Sequence, residues 1–137
     1  MPSRVNPVDV FKERGYFKQC TDEDSVRALF DGDEPVVAYI GFDPTARSLH
    51  VGSLVPIMAL GHLQRAGHRP IAVIGGGTGL VGDPSGKTEQ RQLLTREDLR
   101  RNFEAIRTQL GKFIDFEGGT ATAVDNSEWL DQLNYIE

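Results

Sequence analysis

A chain of 137 residues with 15 Lys+Arg, 20 Asp+Glu and a formal net charge of −5 is long enough for one hydrophobic core and too short for two. The acidic balance excludes a global basic field that would gather nucleic acid or membrane. A lone cysteine, Cys20, excludes an internal disulfide and a cysteine-cluster metal site. No apolar run approaches the roughly 20 residues of a membrane span. The opening MPSRVNPVDVFKERGYF lacks a signal peptide's apolar core, and Asp9 and Glu13 argue against a transit peptide. A cytoplasmic protein away from membranes is expected.

The first thirty residues read as two short helices. Val8, Phe11 and Tyr16 alternate with charges up to Gly15, and Thr21 opens TDEDSVRALF with a capping hydroxyl and three acids in the first turn. After the turn Asp31-Gly32-Asp33, the β-branched run VVAYIG predicts a buried strand from Val36 to about Gly41. FDPTARSLH is a loop, and VGSLVPIMALGHLQRAGH a helix. Pro56 sets where that helix begins, because proline is tolerated only in the first turn. The start falls no earlier than about Gly52, leaving His50 just before it, and Gly67 is the stop. IAVIGGG predicts a second strand from Ile71 to about Gly75, making a βαβ unit with parallel strands. Thr95 caps a third helix that ends near Gly111, TATAVD is a candidate strand, and Ser127 caps a last helix still running at Glu137. The fold class expected is α/β, a parallel sheet with flanking helices, preceded by a helical segment over 1–34. The strand-and-helix unit spans 35–137 and reads as part of a longer domain.

Glycine is over-represented, 15 of 137 residues against about 7% in an average protein, and it crowds between Gly75 and Gly86. The segment GGGTGLVGDPSGKTEQR has three readings. A phosphate loop ending in Gly86-Lys87-Thr88 requires glycine at position 81, where this chain has Val81. A dinucleotide fingerprint matches at Gly77, Gly79 and Gly82, but the ribose-binding acid due about 20 residues on falls near Asn102, inside the third helix. In the third reading both strands end at one carboxyl edge, where ligands of parallel sheets bind. That edge gathers Tyr39, Gly41, Asp43, Thr45 and His50 from one strand end, and Thr78, Asp83, Lys87 and Arg91 from the other. A carboxylate such as Asp83 suits an ammonium, and a helix N-terminus beside His50 suits phosphate.

The blocks Tyr39-Ile40-Gly41-Phe42-Asp43-Pro44-Thr45-Ala46, Ser48-Leu49-His50-Val51-Gly52 and Gly79-Leu80-Val81-Gly82-Asp83-Pro84-Ser85-Gly86-Lys87 resemble bacterial-type tyrosyl-tRNA synthetases, a family of class I aminoacyl-tRNA synthetases. The resemblance runs from the TDED helix to Asn126 and Trp129. It implies the first half of a Rossmann-like catalytic domain. It further implies that Tyr39 bonds the phenol of L-tyrosine, Asp83 and Thr78 hold its ammonium, and Gly41, Asp43 and Asn126 line the nucleotide and ribose. His50 and Gly52 match the class I signature at the ATP phosphates, and Lys87 and Arg91 match a basic loop reaching the pyrophosphate. The family signature ends in a second histidine, where this chain has Ser53, a hydroxyl that donates one hydrogen bond and carries no charge. Implied substrates are ATP with Mg2+, tyrosine and tRNA(Tyr), with no tightly bound cofactor and no protein-held metal. A homodimer is expected of the full-length family.

Catalysis of this kind rests on positioning and on stabilising charge on the leaving phosphates. The expected donors are His50, backbone amides of the helix after it, Lys87 and Arg91. A nicotinamide-binding oxidoreductase and a non-catalytic nucleotide-binding module stand as alternatives. Without the motifs, Tyr39 reads as a core aromatic, His62 and His68 as solvated or capping, Trp129 as a packing anchor, and Arg96 to Arg107 as a solvated helix face.

Overall fold

A computed structural model describes residues 5–81 and 94–133 of the chain. Helix α1 (Pro7–Glu13) opens with Asn6 accepting from the Val8 amide at 3.0 Å, and α2 (Glu23–Asp31) follows. The cap of α2 is Asp22, one residue after the Thr21 expected: its carboxylate accepts from the Ser25 amide at 3.0 Å and from the Ser25 hydroxyl at 2.6 Å. A charged acceptor outcompetes a neighbouring hydroxyl for the free amides of a first turn. The Ser25 bonds hold the Asp22 carboxyl below its ordinary range.

Three parallel strands form one sheet in the order β1 (Val37–Phe42), β2 (Arg69–Ile74), β3 (Thr122–Asp125). The register pairs Phe42 with Ile74 and Ile74 with Asp125, so all three carboxyl ends lie level on one edge. Between β1 and β2 the chain makes a 3-10 turn (Val51–Ser53) and then α3 (Leu54–Arg65), with Pro56 the third residue of α3, where it removes no helical hydrogen bond. The helix stops as expected at Gly67, with φ +84. The Gly67 amide reaches Gln64 O at 2.9 Å and the His68 amide reaches Leu63 O at 3.0 Å, the paired bonds of a left-handed helix terminus.

Ile57, Leu60 and Leu63 of α3 share one buried cluster with Phe42, Ala72 and Ile74 of the sheet and with Ile106 and Leu110 of α5 (Arg96–Leu110). Val8 and Phe30 join the same cluster, so the N-terminal helices have no separate core. Thr95 and Asp98 form a reciprocal capping box at the start of α5. Short helices α4 (Thr78–Val81) and α6 (Ser127–Leu130) follow β2 and β3.

Further expectations change. β1 is not a buried strand: Val37 and Tyr39 are 59% and 73% exposed, because only the Ala38, Ile40 and Phe42 side is covered. Residue 126, not Ser127, holds the cap position of α6, and its side chain makes no cap bond. α6 ends at Leu130, short of the helix expected to run to Glu137, and positions 134–137 of that expectation lie outside the described residues. His68 is neither solvated nor a cap: it is 1% exposed, packs against Phe30 with ring centroids 4.8 Å apart and planes tilted by 53°, and accepts from the Val36 amide at 3.3 Å. His62 is half-buried beside Tyr16, with its Nδ1 accepting from Arg65 at 3.2 Å. Burial first, then Arg65 and Arg14, lowers its pKa from 6.5. Among the described residues no helix is long and apolar enough to cross a membrane.

Candidate active site

Two loops leave the carboxyl edge of the sheet, one after β1 and one after β2. On β1, Tyr39 and Gly41 lie two residues apart and therefore point to the same, uncovered face. A Cβ built on Gly41 meets nothing within 4 Å, so this strand end stands open to a ligand. Asp43 is exposed just beyond it and Pro44 is buried. The rest of the loop is fastened to α5. Asn102 donates to Pro44 O at 2.8 Å, Gln109 donates to Arg47 O at 3.2 Å, and the Leu49 amide donates to Gln109 Oε1 at 3.1 Å. In the sequence Gln109 carries no assigned role, and Asn102 enters only as the place where a dinucleotide-binding acid is missing. Their signal is a pair of amides seven residues apart on one face of an amphipathic helix.

At the end of that loop His50 is exposed and caps the 3-10 turn through its own ring, with Nδ1 accepting from the Gly52 amide at 3.1 Å. An N–H facing Nδ1 requires a lone pair there, so neutral His50 carries its proton on Nε2. A Cβ at position 52 would lie 2.8 Å from the ring, so glycine there lets the ring keep this position. The expectation that amides after His50 serve as free donors is therefore corrected for two of them. The Gly52 amide is engaged by His50 Nδ1 and the Ser53 amide by His50 O at 2.9 Å. Ser53 is half-buried and its side chain makes no cap bond.

The loop after β2 is built differently. Gly75, Gly76 and Gly77 are buried, and the backbone presses against the end of β3. A Cβ on Gly76 would run into the Asp125 carboxylate, and one on Gly77 would stand 3.1 Å from Ser127 Cα. One on Gly79 would stand 2.7 Å from Leu99 Cδ2. The side chain of Asn126, 8% exposed, closes the turn: its Oδ1 accepts from the Gly77 amide at 2.8 Å and the Thr78 amide at 3.4 Å, while Nδ2 donates to Thr78 Oγ1 at 3.2 Å. Thr78 Oγ1 donates in turn to Gly75 O at 3.2 Å, and the residue is exposed. Asp125 Oδ1 accepts from the Ser127 amide at 2.9 Å.

Of the predicted site residues, then, the structure joins Asn126 to Thr78 and Gly52 to His50 by direct bonds, and sets Tyr39, Gly41 and Asp43 at the adjacent strand end. Asp83, Lys87 and Arg91 lie outside the described residues. The place where a dinucleotide fingerprint puts its ribose carboxylate is Asn102, buried in α5 and bonded to Pro44. Among the described residues no group of three metal-ligating side chains comes together. Trp129 is 45% exposed.

The family described as tRNA synthetases class I (W and Y) matches residues 31–137. The chain is 61% identical over 132 residues to a tyrosine–tRNA ligase of Desulfosudis oleivorans, covering 96% of this chain and 30% of that protein. It is 60% identical over 134 residues to the tyrosine–tRNA ligase of Desulfatibacillum aliphaticivorans, covering 98% and 31%. It thus spans about 30% of the length of these relatives. A C-terminally truncated mitochondrial tyrosyl-tRNA synthetase of Aspergillus nidulans superposes with a TM-score of 0.77 at 25% identity, over 98% of this chain and 41% of that one. A Leishmania major tyrosyl-tRNA synthetase solved with tyrosinol shares the fold, with a TM-score of 0.62 at 18% identity over 91% of this chain and 18% of that one.

Proposed function

We propose that this chain, which belongs to the class I tRNA synthetases for tryptophan and tyrosine, is the N-terminal part of the catalytic unit of a tyrosine–tRNA ligase. The reaction activates L-tyrosine with ATP and passes the tyrosyl group to tRNA(Tyr). The single observation that carries this reading is the 61% identity to a tyrosine–tRNA ligase, spread over 96% of the chain. The geometry supports it: the open strand end, the His50 turn and Thr78 all belong to the carboxyl edge of a parallel sheet, the edge at which such sheets bind ligands.

In this reading Tyr39 bonds the substrate phenol, Thr78 and Asp83 the ammonium, and Gly41 and Asp43 the nucleotide. Asn126 stands behind the ligands at the turn that carries Thr78. A tyrosine carboxylate oxygen attacks the α-phosphorus of ATP, the bond from that phosphorus to the bridging oxygen breaks, and pyrophosphate leaves. His50 offers its Nε2–H to the phosphates, held in that tautomer by Gly52, and Lys87 and Arg91 supply positive charge. Mg2+ bound with ATP supplies further charge neutralisation. A pocket that hydrogen-bonds the phenol leaves a buried polar group unpaired when phenylalanine enters; tyrosine against phenylalanine is the standard worked case of this effect. The domain reading is a helical segment over 1–34 followed by the first half of a Rossmann-like unit over 35–137, in a cytoplasmic homodimer when full length.

Amino-acid-dependent pyrophosphate–ATP exchange on the chain extended through its native continuation tests the proposal. Exchange with tyrosine, and none with phenylalanine or tryptophan, is the expected result. No exchange with any amino acid would leave a binding-only module as the better account.

A further inference from the structure

We infer that Asn126 is a positioning residue for the amino-acid half of the site: it fixes the Thr78 hydroxyl so that its remaining lone pair serves as a hydrogen-bond acceptor for an ammonium group. The inference rests on the tyrosine-ligase reading and deepens it.

The argument is one of hydrogen-bonding capacity. An asparagine side chain has one acceptor oxygen and one donor nitrogen, and its orientation follows from its partners. Here the partners leave no choice. Two backbone amides, Gly77 and Thr78, face the same atom at 2.8 and 3.4 Å, and an amide N–H can only donate, so that atom is Oδ1. The atom facing Thr78 Oγ1 at 3.2 Å is therefore Nδ2, and it donates. On this residue, 8% exposed, both Oδ1 lone pairs and one of the two Nδ2 N–H groups are taken up by the turn.

The consequence falls on Thr78. A hydroxyl has one proton and two lone pairs. The proton goes to Gly75 O at 3.2 Å, since a carbonyl can only accept, and one lone pair takes Nδ2 of Asn126. What Thr78 has left, on an exposed side chain at the sheet edge, is a single lone pair. That suits a donor such as an ammonium and repels a carboxylate or phosphate oxygen. Glycine at 75–77 serves the same end, because it lets the turn come close enough to β3 for Asn126 to reach it.

The test compares Asn126→Ala, Thr78→Val and the double variant in the chain extended through its native continuation. Tyrosine-dependent exchange gives KM for tyrosine and for ATP. Equilibrium binding is measured for tyrosine and for its desamino analogue, 3-(4-hydroxyphenyl)propionate. Each single variant is expected to weaken tyrosine about tenfold, the scale of one hydrogen bond to a charged group. KM for ATP should stay within about twofold, as should affinity for the desamino analogue, and the double variant should be no worse than the worse single. Thr78→Val leaves the Asn126 bonds to the two amides in place, so it reads the effect even where Asn126→Ala unfolds. A rise confined to the ATP KM, or equal loss for tyrosine and the desamino analogue, would overturn the inference while exchange in the unaltered protein kept the ligase reading intact. No tyrosine-dependent exchange in the unaltered protein would bring down that reading and this inference with it.

Discussion

The chain leaves the carboxyl edge of its sheet after β1 and again after β2, and the two departures are built in opposite ways. The first spreads outward: Tyr39 is 73% exposed, and Gly41, Asp43 and His50 are exposed beside it. It is held from behind by side chains of α5 that grip backbone carbonyls and an amide. The second folds inward: three consecutive glycines are buried against the end of β3, and Thr78 is the exposed residue at its exit. The lesson concerns glycine. The crowded glycines invite a phosphate-cradling interpretation, yet the described ones at 76, 77 and 79 are explained by close packing onto Asp125, Ser127 and Leu99. At the site, open space lies in front of Gly41, near the end of β1, where a Cβ would meet nothing within 4 Å.

The sharpest way to break this comparison is His50→Ala, because the outward loop should carry chemistry with little bearing on stability. Loss of one preorganised donor costs on the order of 3 kcal/mol in the transition state, a fall of about two orders of magnitude in exchange rate. The ring is exposed and its bond is to a neighbouring amide, so the melting temperature should barely move. A variant that melted many degrees lower with its exchange rate intact would place His50 in the scaffold.

The inward loop should behave the other way. Gly76→Ala drives a methyl into the Asp125 carboxylate, and overpacking of this kind costs about 1–3 kcal/mol. Gly41→Ala meets nothing within 4 Å and should leave stability within about 0.5 kcal/mol. Urea denaturation of the two variants measures the contrast directly. Equal midpoints would remove the packing account of the glycines.

Asn102→Ala tests what holds the outward loop. It strips the buried Pro44 carbonyl of its partner, at a cost of about 1–3 kcal/mol for an orphaned group. Amide hydrogen exchange over residues 43–49 should accelerate, including the Leu49 amide that Gln109 holds. Unchanged exchange there would mean that α5 supports the loop by packing alone.

Much of the frame was legible in the chain because its signals are local. Pro56 bounds the start of α3, Gly67 ends it, Thr95 caps α5, and the apolar runs read at 36–41 and 71–75 fall within a residue or two of the first two strands, 37–42 and 69–74. What stayed hidden depends on partners far along the chain. Asn102 reaches Pro44 across 58 residues and Asn126 reaches Gly77 across 49, and a polar residue on an amphipathic helix reads the same whether it meets solvent or a distant carbonyl. Tyr39 was misplaced for a related reason. An apolar β-branched run is equally consistent with a strand covered on one face or on both, and here the covered face is the other one. The candidate site residues came from the motif blocks, whereas the bonds that tie His50 to Gly52 and Asn126 to Thr78 are visible only in the fold.

The smallest expected effect lies away from both loops, where α3 meets the residues just after α1. His62 has a lowered pKa, caused first by burial and then by the charges of Arg65 and Arg14. In the unfolded chain its pKa returns to about 6.5. Between the folded value and 6.5 the unfolded chain binds more protons, so stability must fall as pH drops through this window and level off below the folded pKa. Protonation also puts a hydrogen on Nδ1, where Arg65 now donates. His62→Gln removes the titration, and its melting temperature should be flatter than the parent's from pH 7.5 to 5.5. Because Tyr16 and His62 lie 6.0 Å apart between ring centroids, the loosening should show first as faster amide exchange around Tyr16, with both sheet-edge loops unchanged. Acid-linked loosening that began instead at the loops would mean that their titrating groups, and not His62, set the pH dependence.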